Sequence, residues 1–344
     1  MHESLQKKIG LVMIGRNEGA RLARCLISGR SIPKRVYVDS GSTDGSVELA
    51  LKEGVVVKQL PIPPEFTAAR ARNAGLEELL ATDTDLEFVQ MIDGDCELHP
   101  GWIDRGVSTL AADSSLAAVF GRRRERYPEK SIYNALCDDE WNDSIGESPA
   151  CGGDVLFRVQ ALREVGIYNP VMIAGEDPEL AMRLRKKGWK FRCIDAEMTL
   201  HDAAILRFGQ WWNRARRSGH AYGELAFLHP DVRNPDWRYS VRSIFFWGGV
   251  MPLLILGTMV LEFTLRGRWW AATALLLIVW PLRMVQLMRR QRRRSLSAKV
   301  AWASGVLLMV GKLPQFLGLM TYYFNRFLGR TARLIEYKGP ENPL

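Results

Sequence analysis

The chain reads as an α/β fold with a mostly parallel sheet, followed by a small α-helical membrane domain. Three observations carry this. Short apolar runs alternate with segments of helical period through the first two hundred residues, polar clusters fall where those runs end, and charge-free apolar stretches dominate after residue 240.

Residues 9–14 form a continuous apolar run of strand length, and residues 18–28 carry Leu22, Cys25 and Leu26 at helical spacing. A second strand is expected over 35–38, a helix over 46–53, a strand over 55–59, a helix over 70–80 and a strand over 88–92. Strands that are apolar throughout, separated by helices, predict a mostly parallel sheet covered on both faces. Ligands of such sheets bind beyond the carboxyl ends of the strands. Gly15 to Glu18, Asp39 to Gly45 and Asp93 to Asp95 all follow a predicted strand, which points to a nucleotide site. No G-x-G-x-x-G follows the first strand and no G-x-x-x-x-G-K-[ST] occurs, so neither a dinucleotide fold nor a P-loop ATPase is supported.

Residues 243–261 contain no charge, and nineteen residues at about 1.5 Å each approach the hydrocarbon thickness of a bilayer. A second span is expected over 269–288, with Trp269 and Trp270 at one interface and Arg283 snorkelling near the other end. The short link makes the two a hairpin. The third segment, about 299–324, is interrupted by Lys312 and Pro314; it is expected to be bent, re-entrant or interfacial, with a conventional span as the alternative. These boundaries divide the chain into 1–240, 241–325 and a basic tail, 326–344.

The net charge of +9 fits nucleic acid, anionic lipid or an anionic substrate equally well until position is considered. Arg289, Arg290, Arg292, Arg293, Arg294 and Lys299 cluster between apolar segments, and Arg326, Arg330, Arg333 and Lys338 follow the last. Basic residues flanking spans mark the cytoplasmic side. The expectation is therefore a multi-pass protein of the cell inner membrane with its catalytic domain in the cytoplasm, in contact with membrane lipid and with no nucleic-acid partner. Five cysteines, odd in number and without a C-x-x-C pair, read as free thiols of a reducing compartment. The N-terminal apolar stretch is too short for a signal peptide.

Asp93-Gly94-Asp95 sets two carboxylates on one side of the chain, where a hard divalent cation, Mg2+ or Mn2+, accepts oxygen ligands and leaves places for diphosphate. The bland alternative is a solvated acidic turn. Glu176-Asp177 stands before Pro178 and the apolar spacing Leu180, Met182, Leu184, so Asp177 also suits a helix N-cap.

The ordered set Ile14-Gly15-Arg16-Asn17-Glu18, Asp39-Ser40-Gly41-Ser42-Thr43-Asp44-Gly45, Ala71-Arg72-Asn73-Ala74-Gly75, Asp93-Gly94-Asp95 and Gly175-Glu176-Asp177 resembles the family 2 glycosyltransferases with the GT-A fold, over residues 8 to about 225. The resemblance implies that Asp39 contacts the nucleotide base and Glu18 the nucleoside, that Arg72 lies near base or phosphate, and that Asp93 and Asp95 bind metal and diphosphate. It also implies that Glu176-Asp177 supplies the catalytic base, with Asp177 as the base itself. His201 is similar to a late histidine of such enzymes that contacts metal or diphosphate; a structural histidine is the alternative. Cys151-Gly152-Gly153-Asp154 borders the acceptor site in relatives, or is a plain turn.

Residues 210–219 stand where processive synthases carry Q-x-x-R-W, but the tryptophans precede the arginine, which argues against processivity. Arg214 can still grip diphosphate there, or the segment is an interfacial helix. Arg122, Arg123, Arg124 and Arg126 read as a solvated or lipid-facing run. Together these features imply an inverting, metal-dependent transfer of a sugar from a nucleotide diphosphate, uridine-linked as the expected donor, to a lipid-borne or polyprenyl acceptor in cell-surface glycan synthesis. The alternatives are a polyprenyl-phosphate sugar synthase and a non-catalytic nucleotide-binding scaffold.

Overall fold

A computed structural model describes residues 8–61, 66–230, 235–264, 270–292 and 297–330. They fall into two compact units, one of residues 8–130 and 137–204, the other of 131–136 and 205–330.

The first unit opens with β1 (Ile9–Gly15), α1 (Gly19–Ser28), β2 (Lys34–Asp39), α2 (Ser46–Lys52), β3 (Val56–Gln59), α3 (Ala68–Thr82) and β4 (Phe88–Asp93). It continues with β5 (Cys96–Leu98), α4 (Trp102–Ala112), β6 (Leu116–Glu125), the second half of α5 (Ile132–Glu140, whose first residues belong to the other unit), β7 (Gly146–Ser148), β8 (Val155–Arg158), α6 (Val159–Val165), α7 (Glu176–Lys186) and β9 (Lys190–His201). Nine strands form one sheet in the order β3-β2-β1-β4-β8-β6-β9-β5, with β7 on β9. Pairing is parallel across β3-β2-β1-β4 and at β6-β9; β8, β5 and β7 run against their neighbours. The mostly parallel α/β sheet expected of the sequence is therefore present, with an antiparallel element at β8.

Local chemistry accounts for these elements. In α1 the face bearing Leu22, Cys25 and Leu26 is buried, and each fully buried leucine contributes about 1.5–3 kcal/mol. In α3 the Thr67 hydroxyl caps the helix by accepting from the Arg70 N–H at 3.1 Å. Gln90 is the one polar residue inside the buried run of β4, and its side-chain carbonyl accepts from the Trp102 indole N–H at 2.8 Å. A buried amide with partners is tolerated where a bare one is not. Register then aligns the strand ends: Gly15 pairs with Asp39, and Ile14 with Asp93. The polar clusters that follow β1, β2 and β4 consequently meet along one edge of the sheet.

The second unit contains α8 (Phe208–Leu228), α9 (Pro235–Phe245), a π-helical turn (Phe246–Val250), α10 (Met251–Thr264), α11 (Trp270–Arg292), α12 (Ala298–Val310) and α13 (Lys312–Phe327). Residues 131–136 join it through the Ser131 hydroxyl, which donates to the Ile205 carbonyl at 2.6 Å, and the Asn134 side chain, which accepts from the Ile205 N–H at 3.0 Å. Among the described residues, three helices are long and apolar enough to cross a membrane: Trp237–Thr264, Trp270–Arg292 and Ala298–Phe327. The third is divided at Gly311, between α12 and α13. Packing here is backbone against backbone. A Cβ on Gly318 would stand 1.9 Å from the Arg216 carbonyl oxygen, and one on Gly219 2.0 Å from that of Gln315, so α8 and α13 touch only because both positions lack side chains. Trp269, the link at 265–268, Arg293, Arg294 and the tail residues Arg333 and Lys338 lie outside the described residues.

Candidate functional site

The loops after β1 and β2 are clamped together. Asn17 adopts φ 55°, a left-handed conformation that asparagine tolerates; its side-chain carbonyl accepts from the Thr43 N–H at 2.8 Å, and its own N–H donates to the Ser42 hydroxyl at 2.9 Å. Asp39 is buried at the end of β2, where its carboxylate accepts from the N–H groups of Gly41 and Ser42, each at 2.9 Å, and from the Tyr37 hydroxyl at 3.2 Å. Its charge therefore organises the loop that carries it. Glu18, immediately before α1, is buried and pairs with Arg21 at 3.1 Å.

Arg72, on α3, is 3 % exposed and gathers three carboxylates from two elements, β4 and α7. Its guanidinium donates to Asp93 at 2.9 Å and to Glu176 at 2.8 Å, and lies 3.5 Å from Asp177. The Tyr168 ring lies beneath it, 5.5 Å from centroid to guanidinium, and Asn73 pins the Tyr168 backbone through both its N–H and its carbonyl. A Cβ on Gly153 would come 2.2 Å from the Arg72 Nη2, so this glycine makes room for the cation.

Helix α7 begins at Glu176, with Gly175 at φ 84° as its N-cap and no side-chain cap. The N-cap reading of Asp177 is thereby corrected: Glu176 and Asp177 both lie in the first turn, because the left-handed turn that starts the helix needs glycine. Burial pushes the Asp177 carboxyl up to about 7; Arg72 opposes that rise and Glu176 adds to it.

Asp95 has different surroundings from Asp93. Its Oδ2 is 3.0 Å from the His201 Nε2 and its Oδ1 is 3.7 Å from the Cys96 Sγ, and all three residues are buried. The strand pair β5–β9 sets Cys96 directly opposite His201. Burial, reinforced by Arg123, holds the imidazole below its ordinary pKa, so it is neutral near pH 7. Trp141 stacks on its ring with centroids 4.4 Å apart.

The reading of 122–126 as a surface run needs correction at Arg123. Its side chain is mostly buried, pairs with Asp154 at 3.1 Å and lies over Trp141. Asp154 in turn accepts from the Asp93 N–H at 3.1 Å and from the Thr199 hydroxyl at 2.8 Å. Cys151-Gly152-Gly153-Asp154 is therefore more than a turn, since it delivers the carboxylate that supports the end of β4. Simple alternation along β6 does not single Arg123 out, because the pairing with β9 shifts register on both sides of Arg122. Arg122 and Arg124 pair with Asp138 and Glu197.

The structure thus brings together Arg72, Asp93, Glu176 and Asp177, and beside one another Asp95 and His201. Glu18 and Asp39 lie in the clamped loops of the same sheet edge. Arg214 is on α8 in the second unit.

This chain matches the family described as Glycosyl transferase family 2 over residues 11–166, and the Glycosyl transferase family group 2 over residues 137–285. The chain belongs to the family 2 glycosyltransferases. Glycosyltransferase AglE of Haloferax volcanii is 27 % identical over 243 residues, covering 67 % of this chain and 75 % of that protein. The pre-mycofactocin glycosyltransferase of Mycobacterium tuberculosis is 24 % identical over 243 residues, covering 67 % of this chain but only 50 % of that protein. Among solved structures, the mannosyltransferase PcManGT from Pyrobaculum calidifontis, in complex with GDP-Man and Mn2+, superposes with a TM-score of 0.60 at 16 % identity, covering 93 % of this chain and 88 % of that one. That likeness concerns the fold, which is GT-A: the Rossmann-like sheet followed by C-terminal helices. As a family 2 glycosyltransferase, the chain carries its four-residue charge network where the family's sheet presents its carboxyl ends.

Proposed function

We propose that this family 2 glycosyltransferase moves a sugar from a nucleotide diphosphate, uridine-linked as the first donor to test, to a lipid-borne acceptor with inversion at the anomeric carbon. The observation that supports this most is the Arg72 bridge, which joins Asp93 after β4 to Glu176 and Asp177 on α7 across more than eighty residues of chain.

In this reading Asp177 takes the proton from the attacking hydroxyl. A carboxyl at about 7 is ionised in a large fraction of molecules at neutral pH yet basic enough to accept that proton. Arg72 keeps the base and the Asp93 carboxylate at a set distance and compensates their charge. Glu18 and Asp39 shape the loops that receive the nucleoside. The donor set fits a divalent ion, because a neutral imidazole and a carboxylate 3.0 Å apart are both ligand types; Asp95 and His201 would hold it, with Asp93 facing the diphosphate. When bound, such an ion offsets the negative charge of the leaving diphosphate. Attack from the face opposite the diphosphate accounts for inversion. Arg214 on α8 is assigned the role of a further cation for the diphosphate, supported only by its place in the sequence.

The lipid-borne acceptor is motivated by the three membrane-length helices, and cytoplasmic orientation at an inner membrane by Arg289, Arg290 and Arg292 at the end of α11. The full-length protein in lipid nanodiscs, screened against nucleotide sugars with Mn2+ or Mg2+ for hydrolysis, thermal stabilisation and transfer to lipid acceptors, tests the whole reading. Donor hydrolysis that disappears in Asp177→Asn supports it. Full transfer by Asp177→Asn to a polyprenyl phosphate, whose oxygen is already anionic, would favour the lipid-monophosphate sugar synthase instead.

A further inference from the structure

Among the described residues one triplet of side chains has the spacing of a metal site, and it contains a thiol: Asp95, Cys96 and His201, with ligand atoms all within 4.8 Å of one another. The Sγ lies 3.7 Å from one carboxylate oxygen of Asp95, Oδ1, and the His201 Nε2 lies 3.0 Å from the other, Oδ2. A tetrahedral ion held at ordinary Zn–S, Zn–N and Zn–O lengths needs edges of about 3.2–3.7 Å. With one ligand atom from each residue already within 4.8 Å of the other two, small side-chain rotations bring the triplet to that spacing. Register explains why: Cys96 and His201 are directly opposed across β5 and β9, which turns both side chains to the same face. All three residues are buried, and Trp141 fixes the imidazole plane by stacking on it. The other four cysteines, Cys25, Cys137, Cys151 and Cys193, are buried free thiols outside any such triplet among the described residues.

We infer that Cys96 is a third ligand, and that Asp95, Cys96 and His201 form a site for a thiophilic divalent ion of the zinc class. This rests on the reading of Asp95 and His201 as metal-holding residues and alters what they hold. Oxygen-only sets suit Mg2+ and Mn2+, whereas thiolate with imidazole and carboxylate is a set for zinc, cobalt or cadmium. On binding, the thiol proton leaves for solvent and the sulfur lone pair enters the metal–ligand bond. One position of a four-coordinate ion remains open to a further oxygen.

Zinc binds more tightly than manganese at nearly any site of this kind, so the preference of the wild-type protein decides nothing by itself. The informative quantities are a sulfur-specific signal and its loss. The full chain in detergent, loaded with Co2+, is expected to show a near-ultraviolet thiolate-to-cobalt charge-transfer band, which Cys25→Ser and Cys151→Ser retain and Cys96→Ser lacks. In calorimetric titrations Cys96→Ser should lower Zn2+ affinity by about tenfold or more while changing Mn2+ affinity little, which shrinks the Zn:Mn ratio. Absence of the band in wild-type protein overturns the proposal, and this holds even if Cys96→Ser does not fold. An unchanged Zn:Mn ratio in a folded Cys96→Ser variant also overturns it. Asp95→Asn and His201→Ala separate the two readings: if they abolish binding of both ions while Cys96→Ser changes neither, only the thiol assignment falls. If they leave Mn2+ binding intact, the metal-holding reading falls with it.

Discussion

Glycines make room in both units, but for different occupants. At the sheet edge, Gly153 leaves space for the Arg72 guanidinium, and with it for the carboxylates of Asp93, Glu176 and Asp177. Along α8 and α13, Gly219 and Gly318 leave space for a neighbouring helix backbone. The difference follows from what each region can gain. In a cleft that must handle anions, a buried charge network is worth its desolvation if every member is compensated. Between α8 and α13 the gain is close van der Waals contact of two backbones, and the polar groups of α8 there, His220 and Glu224, lie 3.7 Å from one another.

The comparison can be broken at several points. Removing the proposed base by Asp177→Asn should leave fold and melting temperature close to wild type while lowering transfer by about a thousandfold, read as initial rate with a nucleotide-sugar donor. Wild-type-like turnover would show that the charge network is structural only. Arg72→Met strands three carboxylates and should reduce unfolding free energy by about 3 kcal/mol in denaturant titration, with Arg72→Lys recovering part of it. If Arg72→Met is as stable as wild type, the carboxylates are compensated some other way.

Gly318→Ala drives a Cβ into the Arg216 carbonyl and should cost about 1–3 kcal/mol, seen as earlier thermal unfolding of the full chain in detergent with nucleotide binding unchanged. Gly153→Ala meets only the end of a side chain, so it should reduce activity with a smaller loss of stability. The reverse ranking of these two alanine variants would contradict the contrast between the units.

The effect of pH is graded rather than abrupt. Because the folded Asp177 carboxyl is raised to about 7, it contributes stability below the ordinary carboxylate range that is lost as pH rises through about 7. Transfer should move the other way, increasing up to about tenfold per pH unit until it levels off above 7. Chemical denaturation and rate measurements from pH 5 to about 9 test both signs, and Asp177→Asn should remove both dependences.

Much of this was legible beforehand because it is local. Apolar runs of strand length, helical spacing of Leu22, Cys25 and Leu26, and the charge-free stretch at 243–261 all report on neighbours in sequence. The same holds for Asp93, Asp95, Glu176 and Asp177 as motif residues. Arg123 differs from the surface reading because a run of arginines looks solvated in sequence, while its partner Asp154 stands thirty-one positions away. Asp154 itself looked like part of a turn, and Cys96 like one more buried thiol.

By itself the sequence determined the order and type of the elements and the positions of the chemistry-bearing residues, since periodicity, turn residues and apolar length act within a few positions of one another. Only the tertiary structure decided the partners. Asp93 and Asp95 are two residues apart, yet one meets Arg72 and the other meets His201 and Cys96. The physical reason is that β4 ends at Asp93, the chain turns at Gly94, and the register of β5 on β9 then sets the direction of Asp95 and its neighbour. That register is a contact between residues about a hundred positions apart, settled by the packing of the whole sheet.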